Sequence, residues 1–257
     1  MSDSYEQIRV EDRDEIRVIT LHRPERLNAW TPVMAAEMSR AVREGNDDPS
    51  VGAFVMTGSG RGFCAGADIG AVFAAQIDGV SDSRSGGGNW VDLVRTSKPF
   101  VGAINGAAIG VGLTLTLPMD FLVAHPEAKL SCRFVKMGVT PELASSSFLV
   151  RRCGWGQASD LALSGRTVLG DEALHIGLVD EVAEDVVEAA VARARSYAEN
   201  SPPAVQFAKA LLTVNGVSDD LAAVQARETE ALAQAYRTDE HREAVNAFLE
   251  KREPRFR

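Results

Sequence analysis

Lys98–Asp120, KPFVGAINGAAIGVGLTLTLPMD, is the stretch around which the other segments take their places. Pro99 to Ile104 is a short apolar run of the kind that fits a buried strand. Asn105-Gly106 reads as a turn, since both residues tolerate positive φ at low cost. After Ala107, Ala108, Gly110 and Gly112 the chain enters an apolar segment with helical character. A strand, a small-residue turn and a helix start leave backbone N–H groups open to a ligand, because the first N–H groups of a helix lack partners within it. The helix dipole favours negative charge at the same place, which suits a site that holds developing charge on an oxygen. A tightly packed strand–helix corner with no ligand explains these residues equally well.

Upstream, Tyr5–Val10 and Ile16–Leu21 carry alternating apolar residues around EDRDE and predict a strand pair. The loop HRPERLNAW follows. Thr31-Pro32 opens a helix as N-cap and first-turn proline, and Gly45-Asn46 is expected to close it. Val51–Thr57 is a continuous apolar strand. The glycine-rich loop Gly58–Ile69, GSGRGFCAGADI, has no Lys-Ser/Thr after its glycines and is neither a Walker loop nor a convincing dinucleotide fingerprint. Such a loop lets backbone groups approach a ligand without a Cβ in the way, although a plain turn entering a helix has the same composition. Asp78–Asn89, DGVSDSRSGGGN, reads as a surface loop or lid.

Downstream, FLVA and KLSCRF (Lys129–Phe134) are expected as strands, and Gly165 and Gly177 as helix stops. Leu178–Ala183 is a last extended piece. From Glu184 the pattern is helical over 184–200, 203–214, 219–236 and 239–251. The shift at Ser201-Pro202-Pro203 divides the chain into a core, 1–200, and a helical C-terminal region, 201–257.

The 257 residues, 45% hydrophobic and 25% charged, fit an ordinary globular chain with a large core. A formal net charge of −9 argues against sequence-independent nucleic-acid binding, which needs clustered Lys and Arg. Cys64, Cys132 and Cys153 show no metal-ligand spacing and point to reduced thiols in a cytosolic compartment. No signal peptide precedes the first strand pattern. The apolar run Pro99–Ala124 is interrupted by two Pro, Asn105, four Gly and Asp120, so a core segment is a better reading than a membrane span.

RPERLNA, GSGRGFCAGADI, KPFVGAINGAAIGVG with Asp120, LSGRTVLGDEALHIGLVDEV and SPPAVQFAK with a terminal FLEKREPRF stand in the order of one family. Together they resemble the crotonase family, the enoyl-CoA hydratase/isomerase superfamily, over nearly the whole chain. The resemblance implies an α/β fold, a spiral of ββα turns with a helical C-terminal region used in assembly of a homotrimer or a dimer of trimers. It implies an acyl-CoA thioester as substrate, with coenzyme A as part of it and no metal or redox cofactor. The family's oxyanion donors map onto the backbone N–H groups of Ala67 and Val111. Many relatives carry glycine where Val111 stands, and a side chain is accepted there if the dihedral angles stay allowed. The remaining coenzyme A contacts map onto Arg26, Leu27, Ala29, Ala65, Ala67, Asp68, Ile69 and Gly110, with Arg26 as a candidate partner for phosphate.

Hydratases of the family use two glutamates, which in register fall at Thr114 and Phe134; neither is acidic. Glu127, in the HPEAK turn, is expected to be exposed. GVTPELASSS instead resembles the Δ3,Δ2-enoyl-CoA isomerases, where the glutamate after proline is the single acid–base group. That role falls to Glu142, with an apolar acyl pocket raising its pKa. Taken without the resemblance, a Glu after Pro is an ordinary helix-start residue. An isomerase is therefore expected, with a hydratase using displaced groups, or an acyl-CoA-binding homologue without catalysis, as alternatives.

Overall fold

A computed structural model of the chain describes residues 5–68, 70, 89–216, 218 and 220–256. Strands β1 (Ile8–Arg13) and β2 (Ile16–Leu21) form an antiparallel hairpin. The chain then repeats one unit: a strand in a large sheet, a strand in a small sheet, and a helix. The first repeat is β2, a single bridging residue at Trp30, and helix α1 (Pro32–Asp47). The second is β3 (Ala53–Gly58), β4 (Gly62–Cys64) and α2 (Trp90–Thr96). The third is β5 (Phe100–Ile104), β6 (Ala107–Ile109) and α3 (Val111–Thr114). The fourth is β7 (Phe121–Ala124), β8 (Leu130–Ser131) and α4 (Ser145–Ser164). Strand β9 (Thr167–Val168), helix α5 (Gly170–His175) and strand β10 (Glu181–Val182) complete the two sheets. Their orders are β1-β2-β3-β5-β7-β10 and β4-β6-β8-β9, parallel except at β1–β2 and β8–β9.

The large sheet is legible because its parallel strands are buried on both faces and read as continuous apolar runs. Alternate residues divide between two cores. Ile19, Leu21, Phe54, Met56, Phe100 and Leu122 face the interior shared with the small sheet. Ile16, Val18, Val55, Val101 and Val123 face α6 (Val186–Ala198), which meets them with Val186, Ala190, Val191 and Ala194. Beyond α6 come α7 (Pro202–Asn215), α8 (Leu221–Ala235) and α9 (Asp239–Glu250). Helix α7 is held to the core by polar groups. Gln206 Nε2 donates to Thr96 O (2.9 Å), and Lys209 Nζ donates to Asp120 Oδ2 (2.7 Å) and Lys98 O (3.1 Å). Helix α8 buries no residue within the chain and α9 buries only Ala247.

Three local expectations are corrected by the structure. Gly45 does not stop α1; it lies inside the helix, where a Cβ would stand 2.5 Å from the Phe54 ring. Gly106 does not supply a positive φ; its missing side chain lets the turn pass the Arg61 carbonyl, which a Cβ would meet at 2.3 Å. The positive φ falls instead at Gly110, after the extra strand β6 that separates the turn from the helix. Lys129–Phe134 is a strand only over Leu130–Ser131, and Arg133–Met137 winds into a 3-10 helix. Ile69 and the loop expected at Asp78–Asn89, apart from Asn89, lie outside the described residues.

Candidate active site

Two backbone segments meet where β4 and β6 leave the small sheet. After β4 the chain runs through Ala65, Gly66, Ala67 and Asp68. The Trp30 N–H donates to Gly66 O (2.8 Å) and the Asp68 N–H donates to Trp30 O (2.9 Å). In this parallel bridge the residue between the two bonded neighbours turns its own peptide groups the other way. Among the described residues, the Ala67 N–H accordingly donates no hydrogen bond. Gly66, at φ 111°, brings this backbone close to the third repeat, with its missing Cβ 3.3 Å from Ile109 O.

The second segment is the start of α3. Gly110 takes φ 56° and ψ −121°, a conformation that glycine adopts readily. Its N–H donates to Ser131 O, and its carbonyl accepts from Leu113 and Thr114. Val111 is the first helical residue, and its N–H has no acceptor among the described residues. The isopropyl group is buried, and no positive φ is required at this position. Gly112 lies so close to β4 that a Cβ would stand 2.2 Å from Cys64 O. Gly66 against Ile109 and Gly112 against Cys64 thus seam together the two segments that carry the uncommitted N–H groups of Ala67 and Val111.

Several other expected contact residues gather on the same seam. Leu27 (φ 50°) accepts the Ala65 N–H at its carbonyl, and Ala29 offers its carbonyl to Arg23. The Asp68 carboxylate pairs with Arg23. Arg26 ends a 3-10 turn, Pro24–Arg26, with its side chain exposed and no ion-pair partner among the described residues. No group of three His, Cys, Asp or Glu that could hold a metal ion occurs among the described residues.

Glu142 arrives from the fourth repeat. The chain leaves β8 beside Gly110, passes through the Arg133–Met137 turn and reaches Pro141-Glu142. Leu143 (φ 53°) and Ala144 (φ 54°) are then both left-handed, a costly conformation for residues with a Cβ, before α4 begins. The Glu142 carbonyl accepts the Ser145 N–H (3.0 Å). Its carboxylate has no hydrogen bond or ion pair among the described residues. The side chain is exposed in area, yet surrounding protein removes part of its hydration and raises the carboxyl pKa above its ordinary value. Thr114 is 0% exposed and Phe134 8%, so two buried uncharged side chains fill the positions assigned to the hydratase pair. Glu127 is exposed in its turn.

The family model for enoyl-CoA hydratase/isomerase matches residues 11–257. The chain belongs to the enoyl-CoA hydratase/isomerase family. It is 35% identical to an enoyl-CoA hydratase of Alternaria alternata, over 99% of this chain and 88% of that one. Identity to the short-chain-enoyl-CoA hydratase of Clostridium acetobutylicum is 32%, over 95% and 94% of the two chains. The crystal structure of an enoyl-CoA hydratase from Polaromonas sp. JS666 superposes with a TM-score of 0.91 at 28% identity, over 97% of this chain and 99% of that one. The two-sheet spiral described above is thus the crotonase fold.

Two residues of this family member escaped notice in the sequence. Asn28, buried and at φ 54°, accepts the Arg23 N–H and donates to the carbonyls of Ser59 (2.9 Å) and Gly62 (2.8 Å). Arg23 bonds both Ala29 and Asp68. The only local signal was the turn-prone RPERLN itself; Asp68 lies 45 residues from Arg23, and Ser59 and Gly62 lie 31 and 34 residues from Asn28.

Proposed function

We propose that the protein is an enoyl-CoA isomerase in which Glu142 is the single acid–base group. The observation that carries this reading is a carboxylate without a polar partner among the described residues, with a raised pKa, in a chain whose hydratase positions hold Thr114 and Phe134. Ionised Glu142 removes a proton from C2 of a 3-enoyl-CoA thioester, and the electron pair delocalises to the thioester oxygen as a dienolate. The N–H groups of Ala67 and Val111 donate to that oxygen, where preorganised donors act most strongly in a water-poor site. The same carboxyl returns the proton at C4 as the thioester carbonyl re-forms, giving the 2-enoyl-CoA. The step balances with one proton and no cofactor. Leu27, Ala29, Ala65, Asp68 and Gly110 supply the rest of the coenzyme A wall in this reading, with Arg26 for its phosphates.

The hydratase reading is supported by the names of the relatives at 32–35% identity. A product assay separates the two. Incubation with 3-enoyl-CoA should give 2-enoyl-CoA, whereas accumulation of 3-hydroxyacyl-CoA from 2-enoyl-CoA without any isomerisation overturns the isomerase. The reading extends to a cytosolic protein, with residues 201–257 as the assembly region of a trimer or dimer of trimers.

A further inference from the structure

We propose that Arg23 is a positioning residue for the oxyanion site, holding the Ala67 N–H in its aim through a two-point clamp across the Trp30 bridge. This inference rests on the assignment of Ala67 as an oxyanion donor. Ala67 carries no side chain able to fix its own peptide plane, and Gly66 before it sits at a φ few residues hold unaided. What orients the plane is the single-residue bridge to Trp30, one donor and one acceptor long. An isolated bridge lacks the neighbouring ladder bonds that make a strand rigid.

Arg23 supplies the missing rigidity. Its Nη1 donates to Ala29 O at 2.7 Å, on the residue just before Trp30. Its Nη2 donates to Asp68 Oδ2 at 3.0 Å, on the residue just after Ala67. One planar guanidinium therefore ties both sides of the bridge together and resists a rotation of the 66–68 peptides relative to Trp30. Both side chains are largely withdrawn from solvent, which keeps the pair from being screened away. Arg23 is itself held, because its N–H donates to Asn28 Oδ1 (2.8 Å) and Asn28 is anchored on Ser59 and Gly62. A lysine in its place reaches one partner but not both in this forked manner.

The test uses full-length Arg23→Met, which keeps much of the stem and removes the fork, with Arg23→Lys alongside. The probe is a saturated short-chain acyl-CoA labelled with 13C at the thioester carbonyl, read by vibrational difference spectroscopy. Wild type should shift that stretch to lower frequency on binding; if it does not, the oxyanion assignment of Ala67 and Val111 fails and the clamp fails with it. Given that shift, Arg23→Met should lose much of it, and kcat for the enoyl-CoA reaction should fall roughly tenfold to a hundredfold while KM changes little. Arg23→Lys should fall between wild type and Arg23→Met. A wild-type shift and kcat retained in Arg23→Met, or a loss of Tm with the carbonyl shift intact, overturns the clamp while leaving the oxyanion assignment standing. If Arg23→Met does not fold, Asp68→Asn serves, since it leaves the Arg23–Ala29 bond in place; an unchanged carbonyl shift there also overturns the proposal.

Discussion

Glu142 and Ser145 lie three residues apart and raise different expectations. Desolvation raises the Glu142 pKa in the folded state, so the protonated form is favoured by folding. That contribution is present below the unfolded pKa and is lost as pH rises through the raised folded value. Glu142→Gln should therefore be more stable than wild type at neutral pH, with the difference vanishing in acid, as denaturant titrations at several pH values will show. In the proposed mechanism the base is the ionised form, so kcat/KM should fall on the acid side with an apparent pKa above the ordinary 4.5. The Ser145 hydroxyl is buried without a hydrogen-bond partner among the described residues. Ser145→Ala removes an unpaired polar group and should raise stability by about 1 kcal/mol in a urea titration; a loss instead means the hydroxyl has a partner such as an ordered water. GVTPELASSS pointed to Glu142 as a carboxyl with a raised pKa, and desolvation does raise it. The clamp at Arg23 was not legible, because its bond to Asp68 spans 45 residues and nothing in RPERLN names that partner.

Among the elements, strands buried on both faces were legible, while the side chains that fasten a helix to the core were not. Phe100–Ile104 and Ala53–Gly58 read as strands because a buried parallel strand has no polar face. Lys129–Phe134 alternates well enough for a strand, yet the chain turns at Cys132 into a 3-10 helix, where local alternation carries no warning. Helix α3 is one turn, shorter than its apolar run suggests, and its start is set by Gly110. Helix α7 is fastened by a charge. Lys209 is 5% exposed and shares Asp120 with the Phe100 N–H, and burial outweighs the carboxylate's pull to lower the ammonium pKa. Lys209→Ala leaves Asp120 without this partner and should cost about 3 kcal/mol of stability, measured by thermal or denaturant unfolding. A cost near zero would show that α7 is held by its apolar contacts alone.

At the scale of the whole molecule, the two-sheet spiral was legible as a family resemblance, with motifs falling in register from Arg23 to Phe256. The C-terminal helices were legible as helices, though their packing was not. Leu221 is 77% exposed and Phe248 83%, and α8 buries nothing within the chain. Apolar residues left this open on consecutive helices are what a subunit interface would cover. Sedimentation at micromolar concentration should therefore show a trimer or hexamer, and a stable monomer would contradict the assignment of residues 201–257 to assembly. No helix among the described residues is long and apolar enough to cross a membrane. In the proposed mechanism one carboxylate, Glu142, faces the acyl chain and two backbone donors face its thioester oxygen. The direct test of that arrangement is turnover of 3-enoyl-CoA by wild type and Glu142→Gln, with products identified by NMR. Wild type should yield 2-enoyl-CoA, and Glu142→Gln should be slower by a factor of ~10² or more with acyl-CoA affinity retained, as expected for loss of a positioned base. Isomerisation at an undiminished rate in Glu142→Gln would contradict the single-carboxylate mechanism.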